Sequence, residues 1–197
     1  MSMPLARLAS FIALGTVILS SPALAQATDE QNVFVMGGPF TSGYFSDAFL
    51  LWEDHYESNF FAGVGYQYFM YEHSGGFKLG AEAGLGVRLG DRSSAELWAG
   101  LVGRLDMFQI GDIRITPSIT AGFSVVTDTI GVETERAAKL GHDIPFLYYL
   151  GPEIAVSHVG YPELEAFGRI HHRSGGFGTI AEIDGSNAVV MGLRYKF

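Results

Sequence analysis

Two side chains near the C-terminal end of the chain, His172 and Ser174, are the residue types used in acyl-transfer chemistry. A serine hydroxyl is a weak nucleophile until a neighbouring base takes its proton, and histidine is the usual base. Alternate residues of a strand point to the same face, so an extended backbone would bring the two side chains within reach of each other. The pair indicates acyl-transfer chemistry. A polar collar where a strand leaves a membrane would have the same spacing.

The elements that must position this pair are long strands in which apolar residues alternate with polar or small ones. Hydrophobic residues make up 48% of the chain and glycine occurs 26 times. After residue 25, no apolar run approaches the roughly 20 residues that a membrane-spanning helix needs. The pattern favours an all-β fold, an eight-stranded antiparallel up-and-down transmembrane β-barrel, over a soluble β-sandwich. The predicted strands are 31–40, 59–71, 76–90, 94–108, 112–127, 143–157, 162–174 and 186–197, with residues 43–52 left open between strand and loop.

The alternation also assigns faces. Charged residues recur on one face of the strands, and an eight-stranded barrel is filled by its inward side chains, so this face is predicted to form a closed, non-conducting lumen. His172 and Ser174 fall on the other, lipid-side face, near the outer leaflet. The predicted lumen residues are Lys78, Arg88, Arg104, Arg114, Arg169 and Arg173 with Glu82, Glu96, Asp106, Glu153 and Glu165.

The beginning of the chain has the pattern of a secretory signal. Arg7 precedes an apolar stretch, and Ala23 and Ala25 stand at the spacing that a signal peptidase accepts. We therefore predict a signal peptide at 1–25, a barrel at 26–197 and export to the outer membrane. The chain has no cysteine, which excludes disulfides and thiol chemistry, and its net charge of −9 argues against a nucleic-acid partner.

The C-terminal region resembles the lipid A 3-O-deacylase family of outer-membrane barrels. The resemblance rests on the His-x-Ser motif at His172-Arg173-Ser174 and on the final strand ending in Phe197, whose alternation resembles the closing strand of outer-membrane proteins. It implies that Ser174 is the nucleophile and His172 the base in removing an ester-linked acyl chain from lipid A or lipopolysaccharide. It also implies that no metal or cofactor is required and that the barrel-assembly machinery inserts the chain.

Two positions depart from the family pattern. Gly175 stands where the family has an oxyanion-holding Asn, so only its backbone N–H is offered. Asn187 stands where the family has the acid that orients the histidine, with Glu182 and Asp184 in the adjoining loop as substitutes. The alternative from another class is a non-catalytic structural or surface-interaction barrel, while a small porin is disfavoured by the strand number.

Overall fold

Antiparallel hydrogen bonding joins successive strands in the computed structural model, which describes residues 31–50, 55–106 and 108–197. Period-two alternation of apolar and polar or small residues suits a wall with lipid on one side and a packed lumen on the other. The strands in these ranges are β1 (Gln31–Thr41), β2 (Tyr56–His73), β3 (Phe77–Leu89), β4 (Ser93–Leu105), β5 (Phe108–Ile110), β6 (Ile113–Val126), β7 (Phe146–His158), β8 (Tyr161–Ser174) and β9 (Ser186–Lys196). A helix, α1 (Val132–Leu140), and a 3-10 turn at Asp47–Phe49 lie in the connections.

The sheet closes on itself through two pairings. The last strand, β9, pairs with β1, and Gln31 and Phe197 exchange backbone hydrogen bonds of 3.2 and 2.9 Å. On the other side β4 pairs with β6, which leaves the three-residue β5 as an extension of the hairpin with β6. Eight strands therefore form the wall, and the predicted eight-stranded antiparallel barrel is confirmed.

The strand ends differ from the predicted bounds by up to three residues. The strand predicted over 94–108 ends at Leu105, where Asp106 turns to donate its backbone N–H to Gly76 O at 2.8 Å. The segment left open between strand and loop is a loop with a 3-10 turn as far as residue 50. Residues 51–54 and the predicted signal peptide at 1–25 lie outside the described residues.

The two faces of the wall differ in the expected way. Apolar side chains on the outer face are exposed over a broad band, as a lipid-facing wall requires. The band includes Val35, Val64, Leu85, Leu97, Leu101, Ile119, Ile154, Met191 and Leu193. Within the described residues, no helix is long and apolar enough to cross a membrane.

A ladder of ion pairs fills the lumen. Arg169 bridges Glu82 and Glu153 at 2.6 and 2.8 Å, and Arg194 bridges Glu153 and Glu165 at 2.7 and 3.0 Å. Arg104 also pairs with Glu165. Because these charges are deeply buried and closely balanced, they occupy the space that a pore would need.

One predicted lumen residue is placed elsewhere. Arg114 is exposed, because it lies at the start of β6, opposite the short β5, where no complete wall encloses it. His171 lies inside, with the charged face of β8, as the alternation predicts, and the structure adds to the lumen Arg194, Lys196 and Glu133, which enters from α1.

The connections are short at one end of the barrel and three of the four at the other end are long, and bacterial barrels carry the long loops outside. Three outer connections form the surroundings of His172. They are the segment after β1, the α1 connection between β6 and β7, and the loop 175–185 between β8 and β9.

Candidate active site at the outer end of the barrel wall

His172 and Ser174 lie at the outer end of β8. Leu164, Ala166 and Gly168 share their face and are exposed on the wall. The preceding residue, His171, points the other way, into the lumen, where its Nε2 lies 2.8 Å from Glu96 Oε1. The two neighbouring histidines therefore serve different faces, and His172 is the one beside Ser174.

A hydrogen bond from the adjacent strand orients the His172 ring. Asn187 is the cross-strand partner of His172 on β9, and its Oδ1 lies 2.6 Å from His172 Nδ1. An amide oxygen can only accept, so Nδ1 carries the proton and donates. In a neutral imidazole this leaves Nε2 unprotonated, which is the nitrogen that a general base needs.

The direction of the Asn187 amide is fixed by a second bond. Its Nδ2 donates to the backbone carbonyl of Gly43 at 3.1 Å. A carbonyl accepts and cannot donate, so a flipped amide would place two oxygens against each other. Gly43 thus determines which end of Asn187 faces His172.

The two predicted acidic substitutes behave differently. Asp184 Oδ1 lies 3.8 Å from His172 Nδ1, and its Oδ2 accepts the N–H of Phe45 at 3.3 Å. Glu182 is exposed on the loop, and no hydrogen bond or ion pair joins it to His172 within the described part of the chain. Of the two acids, Asp184 is therefore the one that lies near His172, although it is farther from Nδ1 than Asn187 Oδ1 is.

His172 is less exposed to lipid than its position on the lipid-side face predicts. Only 6% of the residue is exposed, because the segment after β1 folds down over it. The Phe45 ring lies against the imidazole with centroids 4.3 Å apart, and Ala48 is fully buried nearby. Sequence reasoning missed Gly43 and Phe45, since neither lies on a strand and no local pattern marks them.

The surroundings of Ser174 are looser. Ser174 is half-buried, its cross-strand partner is Tyr148, and no hydrogen bond joins its hydroxyl to His172 among the described residues. The N–H of Gly175, predicted to hold an oxyanion, instead donates to Ile183 O at 2.8 Å. A Cβ at position 175 would lie 1.9 Å from Ala181 O, so the close loop contact explains why glycine stands there.

An apolar groove of about 780 Å³ runs along the outer wall below this site. The end nearest the site is formed by the covering segment and by β8 and β9, and the groove continues across β7, β6 and β4. Gly168 leaves it open, because a Cβ there would meet no atom within 4 Å. The residues at the end near the site are Ala48, Phe49, Gly168, Ile170, Val189 and Met191.

Solved structures similar to this chain are membrane β-barrels. The outer membrane enzyme PagL superposes with a TM-score of 0.60 at 11% identity, covering 84% of this chain and 99% of PagL. Neisserial surface protein A (NspA) gives 0.52 at 10% identity, covering 88% and 100%. A de novo designed transmembrane β-barrel gives 0.50 at 16% identity, covering 86% and 96%.

No protein-family model and no curated protein sequence matches the chain. At these identities the structural likeness establishes the fold alone. The chain is therefore an eight-stranded antiparallel β-barrel with the fold seen in outer-membrane barrel proteins. Both an enzyme and a surface protein share this architecture, so the function depends on the site.

Proposed function

We propose that this chain is an outer-membrane esterase that removes an ester-linked acyl chain from lipid A or lipopolysaccharide in the outer leaflet. The observation that carries the proposal is the 2.6 Å bond from His172 Nδ1 to an Asn187 amide whose direction is fixed by Gly43. That bond leaves Nε2 free as a base two residues from Ser174, on the lipid side of the wall and near the outer end of the strand.

The reaction follows the acyl-enzyme route of serine hydrolases. Ser174 Oγ attacks the ester carbonyl carbon while His172 Nε2 takes its proton. The tetrahedral intermediate collapses, the bond from carbon to the leaving oxygen breaks, and His172 returns the proton to that oxygen. Water then attacks the acyl-serine carbonyl with its proton passing to Nε2. The bond from carbon to Ser174 Oγ breaks, His172 returns the proton to Oγ, and the fatty acid is released.

Asn187 and Asp184 divide a task that one carboxylate performs in the Ser-His-Asp arrangement. Asn187 holds the ring and its tautomer but carries no charge to stabilise the imidazolium. Asp184, 3.8 Å from the same nitrogen, supplies a negative charge at a distance beyond a direct hydrogen bond. An Asn in the orienting position also occurs in the Cys-His-Asn variant of this chemistry.

The groove below the site suits the apolar part of such a substrate. It is lined mainly by aliphatic, aromatic and small residues, and its end nearest the site lies at the segment that covers His172. In the proposed membrane orientation it lies at the level of the lipid tails. An acyl chain lying in it would bring its ester end toward Ser174. Burial of apolar surface in the groove would contribute roughly 0.8 kcal/mol per methylene.

The second candidate function is a structural or surface-interaction barrel without catalysis. It is favoured by the Phe45 ring against His172 and by the lack of a hydrogen bond from Ser174 to that ring among the described residues. In the esterase proposal, the segment carrying Phe45 moves aside when lipid binds. In the alternative it stays in place.

The deciding experiment is mass analysis of lipid A from Gram-negative cells that express the chain or its variants. Wild type is expected to yield lipid A lacking one acyl chain. Ser174→Ala and His172→Ala should each lower the rate by about 1,000-fold or more, and the double variant should be little worse because the two residues act as a unit.

The controls are Ser93→Ala and His142→Ala, which change exposed residues at the same end of the barrel. Both are expected to process lipid A at the wild-type rate. Lysophospholipid formed in place of shortened lipid A would contradict the substrate assignment. Wild-type activity in a folded Ser174→Ala barrel would replace the esterase with the structural barrel.

A further inference from the structure

Arg136, on α1, holds two loops together above the site. Its Nη1 donates to the carbonyls of Asp184 and Gly185 at 2.7 and 3.2 Å. Its Nη2 donates to the carbonyls of Ser42 and Gly43, both at 3.1 Å. One guanidinium therefore joins the segment after β1 to the end of the loop 175–185, the two segments that contact His172.

The helix carrying Arg136 is itself fixed to the barrel. Glu133, one turn earlier, is fully buried and pairs with Arg88 at 2.5 Å and with Arg173 at 2.6 Å. On the other side of Arg136, Ala137 packs into an apolar cluster with Leu147 of β7 and Ile183 of the loop 175–185. Arg136 thus extends from a support that does not depend on the two loops alone.

The contact that links Arg136 to His172 is the carbonyl of Gly43. This oxygen accepts from both Arg136 Nη2 and Asn187 Nδ2, each at 3.1 Å, and a carbonyl has two lone pairs for two donors. The chain of bonds runs from Arg136 to Gly43, from Gly43 to the Asn187 amide, and from that amide to His172 Nδ1. Each bond allows one direction of donation only.

We propose that Arg136 is a positioning residue that holds His172 in the Nδ1-protonated tautomer by keeping Gly43 in place. The consequence for catalysis rests on the proposed esterase function. Free neutral imidazole samples both tautomers, and the one protonated on Nε2 is not a base toward Ser174. Without the bonds from Arg136, Gly43 can move away and the Asn187 amide can rotate. For part of the time His172 Nε2 is then protonated and cannot act as the base.

The geometry requires an arginine at this position. The planar guanidinium presents donors on two edges at once, whereas the lysine ammonium is a compact point charge. Arg136 also lies over the Tyr44 ring, 5.1 Å from its centroid, which adds a cation–π contact to the same segment. A lysine would keep the charge and lose the simultaneous contact with four carbonyls.

The test compares full-length wild type with Arg136→Gln and Arg136→Lys in lipid nanodiscs. Imidazole ¹⁵N NMR above the titration range reports the tautomer of His172, whose signals are assigned by their loss in His172→Gln. Wild type is expected to show Nδ1 protonated and both variants a mixture of tautomers. On lipid A, kcat of both should fall roughly 2- to 5-fold, in proportion to the lost fraction of the Nδ1-protonated tautomer, with little change in KM.

Lys139→Gln is the matched control, because it removes the same charge from an exposed position on the same helix. It should keep the wild-type spectrum and rate. An unchanged His172 spectrum in Arg136→Gln would overturn the proposal, whether or not the rate falls. A wild-type spectrum and rate in Arg136→Lys would overturn the claim that the site needs a guanidinium that contacts four carbonyls at once. If wild type is inactive but Arg136→Gln still shifts the tautomer, the positioning role stands and the esterase proposal fails.

Discussion

In the proposed esterase, Asn187 shows how much of a catalytic arrangement a neutral side chain can supply. An amide oxygen orients an imidazole as well as a carboxylate does, but it adds no charge when the ring becomes an imidazolium. It also needs its own direction to be fixed, which Gly43 does through Nδ2. Substituting amide for acid therefore transfers part of the positioning to a backbone carbonyl in another segment.

The relative importance of Asn187 and Asp184 can be measured. Asn187→Leu keeps the size and removes both hydrogen bonds, so kcat for ester hydrolysis should fall by about 100-fold. Asp184→Asn removes a charge 3.8 Å from His172 and should cost about tenfold, because that contact is longer than a hydrogen bond. Steady-state kinetics on purified, folded barrels would measure both.

The relative losses in kcat of Asp184→Asn and Asn187→Leu decide which side chain orients the His172 ring. If Asp184→Asn costs more than Asn187→Leu, the aspartate orients the ring and the amide is secondary. Glu182→Gln serves as the control, since it alters an exposed acid on the same loop and is expected to leave kcat unchanged.

At the residue scale, strand periodicity predicted the parts of the site that lie on strands. The alternation of side chains along a strand gives the face that His172 and Ser174 share and the direction of the Asn187 side chain. Phe45 and Gly175 could not be assigned in this way. The contact of Phe45 depends on how a loop folds back over β8, and the bond of Gly175 N–H depends on a turn whose closeness only the folded loop reveals.

Among the elements, α1 is the one that local sequence does not specify. Residues 128–142 were predicted as an outer loop, and a helix of nine residues has little stability of its own. It forms here because Glu133 reaches into the lumen and Ala137 packs against the rim, with Gly141 ending the helix at a positive φ of 81°. These are long-range contacts, which periodicity in the helix itself cannot encode.

The anchoring of α1 gives a prediction for stability. Glu133→Gln leaves Arg88 and Arg173 without their charged partner from the helix, and breaking a buried pair of this kind costs about 3–5 kcal/mol. We expect the outer connection to become sensitive to protease in intact membranes while the barrel stays closed. Limited proteolysis and the heat-dependent gel mobility of the folded barrel would measure the two effects separately.

Glu135→Gln is the appropriate control, because Glu135 lies in the same first turn and is exposed. Equal protease sensitivity in Glu133→Gln and Glu135→Gln would show that loss of helical charge, and not loss of the lumen contact, releases the connection.

For the molecule as a whole, the contents of the lumen predict that it does not conduct. Arg169 and Arg194 cross the interior with their acidic partners, and Trp98 and Tyr149 fill the space towards the outer end below Glu133. In planar bilayers the purified protein should give no stable ohmic steps, with a large porin in the same bilayers as the positive control. Reproducible steps of a single size would contradict the filled lumen.

The overall architecture was the most predictable property, because lipid imposes one rule on every strand of the wall. Each strand must bond on both sides and must alternate its faces, so the pattern repeats eight times and small errors at strand ends do not alter the fold. Arg114 is an exception to the assignment of faces by alternation. It has the right parity for the lumen, but it lies beyond the enclosed part of the wall.

The pairing of β1 with β9 makes the candidate site a product of barrel closure. Gly43 follows the first strand and Asn187 begins the last, 144 residues apart, so their bond spans the seam where the cylinder shuts. In the proposed exported enzyme, a chain still in transit through the periplasm has His172 and Ser174 but not the contacts that orient them. In the proposed enzyme, hydrolysis therefore starts only after insertion, and the lipids of the inner membrane are spared during export without any separate inhibitor.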